Sequence, residues 1–226
     1  MSHAPAPVSC VLLDFDGTLA NTTATVVDSY RHAFRTVLGY EFPSTEEDLA
    51  DALTTRLREL CARRAGAQAA ELFDVFRAHY TSDHTVAPSL YGGVLEMFEG
   101  LAKRGRSVGL VTNKTRMTAL FEIQRCGLGA VDFRCVITAD EATIGKPDPM
   151  PILMGLRAVA TAPENTIYVG DGPHDVVAAC RAGVRAVGAA YGDFGTAKLK
   201  EEAPWAVIDS PLELLQVLDS MPGSRA

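Results

Sequence analysis

The sequence predicts an α/β fold, a parallel sheet with helices on both faces, plus a helical block inserted near the start. Three observations carry this reading. An apolar run, Val11-Leu12-Leu13, enters the acidic turn Asp14-Phe15-Asp16-Gly17-Thr18, the pattern of a buried strand ending in a tight polar loop. From Gly92 onward, short apolar runs alternate with helical stretches, as in strand-helix-strand units. Between Ala20 and Pro88 no strand pattern interrupts the helices. With 226 residues, 47% of them hydrophobic, the chain is long enough to bury a core without disulfides.

Taken in order, Thr22 or Thr23 can cap a first helix whose stripe is Val26, Tyr30, Ala33, Phe34, Val37 and Leu38, ending at Gly39. A second helix starts at the capping pattern Ser44-Thr45-Glu46-Glu47 and carries Leu49, Leu53, Leu57 and Leu60 toward Arg64 and Gly66. A third covers about 68–82. Val86-Ala87-Pro88-Ser89 leads out of the block, so residues 20–88 form one unit, and 1–19 with 89–226 form the other.

The second unit cycles through helix and strand. A helix from Gly92 stops at Gly105, and Ser107-Val108-Gly109-Leu110-Val111 follows as a strand covered on both faces. Next come a helix from Thr115 to Cys126, the strand Cys135-Val136-Ile137, and a helix from Pro149 or Met150. The strand Thr166 to Val169, the helix Pro173 to Arg181 and the run Val184 to Gly188 continue the cycle. Ala206-Val207-Ile208 and a helix from Pro211 to Asp219 close the chain.

Composition removes several functions. A net charge of -7 and a pI near 5.2, with no Lys/Arg run, speak against a nucleic-acid or anionic-membrane partner. Five scattered cysteines without a C-x-x-C pair suit a reducing compartment rather than a zinc site, and no thiol has a visible activating partner. Met1 to Pro7 lacks a signal-peptide pattern and no segment reaches membrane-spanning length. The expectation is a soluble cytoplasmic protein, monomer or homodimer.

In open parallel sheets the active crevice lies at the carboxyl ends of the strands. Polar residues gather at those ends: Asp14 and Asp16, then Thr112-Asn113, then Gly170-Asp171-Gly172-Pro173-His174-Asp175, with Lys146 in the loop Gly145-Lys146-Pro147. In extended chain Asp14 and Asp16 share a face. Neighbouring acids repel unless a cation or a proton intervenes. A metal site or an acid/nucleophile pair explains them, and so does a solvated turn.

Together these four stretches, Asp14-Phe15-Asp16-Gly17-Thr18, Thr112-Asn113, Lys146-Pro147 and Gly170-Asp171 with Asp175, resemble the haloacid dehalogenase superfamily over about two-thirds of the chain. The resemblance implies a Rossmann-like core with a helical cap at the first insertion position, as in phosphoglycolate phosphatases, β-phosphoglucomutases and related pyrophosphatases. It implies an aspartyl-phosphate on Asp14 and an acid/base role for Asp16. An acid at the second position favours phosphoryl transfer over dehalogenation, because a leaving halide needs no proton.

Mg²⁺ is the implied cofactor, held by Asp14, the backbone carbonyl of Asp16, and Asp171, with Asp175 orienting a metal water or Lys146. Thr112, Asn113 and Lys146 would meet the phosphoryl oxygens. The substrate expected is a small phosphorylated metabolite, phosphoglycolate-like. The alternatives are a phosphoglucomutase-like phosphotransferase, a pyrophosphatase, or a phosphate-binding module that has lost turnover. Relatives often carry Ser or Thr where this chain has Gly172-Pro173, yet Pro suits the first turn of a helix. Arg56, Arg58, Arg63 and Arg64 read as solvated helix residues, and His174 has no partner apparent in the sequence. The hinges expected are Ala20 to Thr23 and Ala87 to Leu90.

Overall fold

In the computed structural model, which describes residues 8–83 and 85–221, six strands form one parallel sheet. The Met1 to Pro7 reading lies outside the described residues. The strands are β1 (Cys10–Leu13), β4 (Ser107–Val111), β5 (Phe133–Ile137), β6 (Thr166–Gly170), β7 (Arg185–Ala189) and β8 (Ala206–Ile208). Their spatial order is β5-β4-β1-β6-β7-β8. The chain therefore builds outward from β1 to one edge, returns beside β1 at β6, and builds toward the other edge. That reversal opens a crevice at the carboxyl end of β1, where Asp14 and Asp16 follow.

Strand β1 is wholly buried because each face meets a core. On one side Val11 and Leu13 pack with Met97, Leu101, Leu110, Val169 and Leu214; on the other Leu12 packs with Val111, Ile152, Tyr168 and Val176. The helices supplying these walls are α5 (Val94–Lys103), α6 (Arg116–Arg125), α7 (Met150–Ala158), α8 (Pro173–Arg181) and α10 (Glu213–Asp219). A short helix α9 (Gly195–Glu201), absent from the sequence reading, buries one apolar residue, Leu199. One buried position in seven residues leaves no periodic stripe to read.

The inserted helices are α1 (Thr23–Leu38), α2 (Glu46–Thr54), α3 (Leu57–Ala65) and α4 (Ala69–Tyr80). They bury a third core of their own, with Tyr30, Phe34, Phe42, Leu60, Leu72, Phe73 and Phe76. Two differences from expectation stand out. The single helix expected from Ser44 toward Arg64 breaks at Thr55-Arg56, both in extended conformation. Arg56 leaves the helical ladder and donates to the carbonyls of Ala139, Ala142 (2.8 Å) and Thr143 (2.9 Å) on the sheet unit. The cap of α2 is Thr45, whose hydroxyl accepts from the Asp48 N–H, and Asp48 in turn accepts from Ser44.

The second difference lies at the two crossings between units. Strand β2 (Ala20–Asn21) pairs antiparallel with β3 (Ser89–Leu90), so the expected hinges run as a two-stranded ribbon. Two-residue strands are too short for alternation to reveal. Among the described residues no helix is long and apolar enough to cross a membrane.

Candidate active site

The sheet ladder of β1 stops at Leu13, and the acidic stretch is a turn: Gly17 N–H bonds the Ala20 carbonyl and Leu19 N–H the Phe15 carbonyl. Gly17 is required there. Its φ is +66°, and a Cβ at that position would lie 2.0 Å from Asp171 Oδ2. The Asp171 carboxylate thus sits directly on the Asp16-Gly17 turn, bringing the ends of β1 and β6 together. On its other flank Asp171 Oδ2 accepts the Asp193 backbone N–H at 2.8 Å.

Asp14 and Asp16 do not share a cation. Asp14 is buried and ion-paired with Lys146, Nζ to Oδ1 2.9 Å. Asp16, 30% exposed at its side chain, pairs with Lys114 at 2.7 Å and accepts the Thr22 hydroxyl. Thr22 is the N-cap residue of α1, yet its hydroxyl makes no cap bond and is spent on Asp16 instead.

Lys146 arrives on the loop before α7 and is completely buried. Its ammonium contacts Asp175 Oδ1 at 2.6 Å and the Tyr168 hydroxyl at 2.8 Å besides Asp14. Burial alone would lower its pKa, but the two carboxylates raise it to about 12. Asp175, at the start of α8, also accepts the Gly172 N–H at 3.0 Å. Burial pushes its carboxyl up, and His174, Lys146 and those hydrogen bonds bring it below the ordinary range. For Asp14 the balance reverses: burial raises it to about 7, with Asp175 and Asp16 adding and Lys146 only partly offsetting them.

Asn113 braces the same loop. Its Oδ1 accepts the Lys146 N–H at 2.9 Å and its Nδ2 donates to the Lys146 carbonyl at 3.1 Å. One amide hydrogen remains. The buried Thr112 hydroxyl accepts the Lys114 N–H at 3.2 Å and keeps its own hydrogen for a further acceptor. All of Asp14, Asp16, Thr112, Asn113 and Asp171 line one cavity, which also takes in residues of α1, α2 and α4.

The sequence reading missed Tyr168, Lys114, Glu122 and Tyr80. Tyr168 is the one aromatic residue in an otherwise short-chained strand, and a buried phenol needs a partner; that was its available signal. Lys114 follows Thr112-Asn113 and pairs with Glu122 Oε2 at 2.9 Å as well as Asp16, and it donates to the Tyr80 hydroxyl of α4 at 2.7 Å. Tyr80 donates to Glu122. Glu122 is a fully buried acid on α6, and a carboxylate without solvent must be paired. His174 lines the cavity with Nε2 3.6 Å from Asp175. Its desolvated ring titrates below the usual histidine range.

Donor atoms of Asp14, His174 and Asp175 lie within 4.8 Å of one another. That spot is already served by the Lys146 ammonium. The remaining charge lies toward Asp171, whose carboxyl burial drives well above its ordinary range, with Asp175 and Asp14 adding to the effect. The Lys146 ammonium answers Asp14 and Asp175, which leaves the buried Asp171 carboxyl without a cation among the described residues. A hard dication with oxygen ligands suits that donor set.

The sequence profile of haloacid dehalogenase-like hydrolases matches residues 11–189. A relative, the pyrophosphatase PpaX of Anoxybacillus flavithermus, is 30% identical over 213 residues, spanning 93% of this chain and 97% of the relative. Among solved structures, CbbY from Rhodobacter sphaeroides in complex with phosphate aligns at TM-score 0.79 with 21% identity, covering 92% of this chain and 96% of that one. A predicted phosphoglycolate phosphatase from Haemophilus somnus aligns at 0.77 with 23% identity, covering 93% and 97%. The two structural likenesses speak for the fold, and the profile and the relative for the family. This chain belongs to the haloacid dehalogenase-like hydrolases and is a phosphatase-type enzyme.

Proposed function

We propose that the protein is a Mg²⁺-dependent phosphatase acting on small phosphate monoesters, with residues 20–88 serving as a cap over a core of 1–19 and 89–226. The observation that carries this reading is the buried Asp14 carboxylate, held 2.9 Å from Lys146 at the open end of β1 with Asp171 beside the same turn. Phosphate monoesters are among the slowest substrates to hydrolyse unaided, so an activated nucleophile and charge neutralisation are both needed.

Asp14 attacks phosphorus and forms the aspartyl-phosphate, dividing one hard displacement into two easier ones. Asp16 gives a proton to the departing alkoxide and takes one from the water that releases phosphate. Thr112, the spare amide hydrogen of Asn113, and Lys146 meet the phosphoryl oxygens. Asp175 positions Lys146. Asp14, the Asp16 carbonyl and Asp171 would hold Mg²⁺, which supplies charge neutralisation to the phosphoryl group when bound. The helical unit excludes bulk water during the first step, and opening about 20–23 and 87–90 releases product.

A second reading, turnover of inorganic pyrophosphate, is favoured by the name of the relative from Anoxybacillus. The test is turnover of p-nitrophenyl phosphate before and after treatment with a chelator. We expect loss on chelation, recovery with Mg²⁺ and no activity in Asp14→Asn; metal-independent turnover, or turnover surviving that substitution, would overturn the proposal.

A further inference from the structure

Resting on that reading, we infer that the leaving group is a small uncharged alcohol, so that a second anionic group on the substrate is selected against. The cavity that holds Asp14 and Asp16 is small, about 90 Å³. Asp16 marks its leaving-group side, and the helical unit brings to the cavity apolar side chains, Val26, Leu53, Leu57 and Phe76 among them, together with the uncharged hydroxyls of Thr22, Tyr30, Thr54, Thr55 and Tyr80. Of these, Thr54 already donates to the Ala50 carbonyl and Thr55 to Asp51.

An anionic leaving group needs a cation, and among the described residues the helical unit provides none at this surface. It contains no lysine, and none of its arginines lines the cavity. Arg56 spends its guanidinium on the carbonyls of residues 139, 142 and 143. Arg63 and Arg64 pair with Asp51 and Asp48, and Arg58 lies over the Phe73 ring at 4.2 Å.

Among the described residues lining the cavity, Lys114 is the one lysine or arginine. Two carboxylates already answer its single charge, Asp16 at 2.7 Å and Glu122 at 2.9 Å, and a third contact goes to Tyr80. A carboxylate or second phosphate would therefore lie beside Asp16 without a counter-charge, in a space whose helical wall offers apolar side chains and uncharged hydroxyls. Discrimination of this kind comes from the unpaired charge imposed on the wrong ligand, not from better contacts to the right one.

The test compares small substrates of similar size that differ in charge: 2-hydroxyethyl phosphate, ethyl phosphate, phosphoglycolate and inorganic pyrophosphate, with p-nitrophenyl phosphate as the control. We expect kcat/KM for 2-hydroxyethyl phosphate to exceed that for phosphoglycolate by at least about tenfold, a discrimination in the range hydrophobic pockets reach. In Leu53→Lys, which places an ammonium on the apolar wall, the ratio should fall about tenfold or invert, with an unchanged melting temperature reporting an intact fold. Equal or greater kcat/KM for phosphoglycolate or pyrophosphate, with the control active, overturns this inference and leaves the phosphatase reading standing. No Asp14-dependent turnover of any of the five removes both.

Discussion

The Lys146 ammonium lies 2.6 Å from Asp175 Oδ1, and both groups are shut off from solvent. Neither is tolerable there alone: a buried pair contributes little net stability, but an orphaned partner is costly. Asp175→Asn keeps the shape and removes the charge. It should cost about 3 kcal/mol, which for a chain of this size lowers the melting temperature by roughly 6–12 °C. Turnover should fall by about 10–100-fold, the usual effect of removing a group that orients a site residue. A variant melting and turning over like the parent would show that Tyr168 and Asp14 hold Lys146 without help.

Asp14 behaves in the opposite sense. Its pKa is raised from the ordinary carboxyl value to about 7, chiefly by burial. A raised acid contributes stability that is complete below the unfolded value and is lost as pH rises through about 7. At pH 8 the charged group therefore weighs against folding, so Asp14→Asn should be inactive yet melt no lower than the parent. Thermal melts at pH 8 alongside a phosphate-release assay check both halves, and a clear loss of stability contradicts the electrostatic account.

Glu122 offers a second pH signature away from the nucleophile. Burial raises it from 4.5 to about 7, Asp16 adds to this, and Lys114 partly offsets it. The folded protein then holds a proton that the unfolded chain has released between those two values, and stability declines as pH rises across that window. Glu122→Gln cannot titrate. Its stability should fall less between pH 4.5 and 7 than the parent's, by on the order of 1–3 kcal/mol. Parallel curves from chemical denaturation at several pH values would refute this.

Gly17 is the turn residue that lets Asp171 approach. At φ +66° a side chain is strained, and its Cβ would overlap the Asp171 carboxylate at 2.0 Å. Gly17→Ala should lose activity by two orders of magnitude or more, a displacement of about 1 Å being enough for that, while costing about 1–3 kcal/mol in backbone strain. Gly39→Ala is the control: it shares a positive φ, lies against open space, and should lose stability without losing kcat.

The apolar runs, the glycine stops and the alternation after Gly92 were enough to read the parallel sheet and its crevice, because both periods are local properties of the chain. The motif residues were legible for the same reason: each sits in a loop directly after a strand or before a helix, or, for Asp175, in a helix's first turn, and the order of those elements places them at one edge. The break at Thr55-Arg56 was not, since the leucine stripe continues through it. Only the carbonyls of residues 139, 142 and 143, more than eighty positions away, give Arg56 a reason to leave the helix.

By itself, then, the sequence determined the fold class, the helical insertion and which acids and lysine stand at the carboxyl edge. Tertiary structure alone decided how their charges are shared. Asp14 goes to Lys146 and Asp16 to Lys114, and Glu122, Tyr80 and Tyr168 are drawn in from positions outside every motif. The physical reason is that a buried charge must find a partner through space, and no local pattern records which distant residue that partner is.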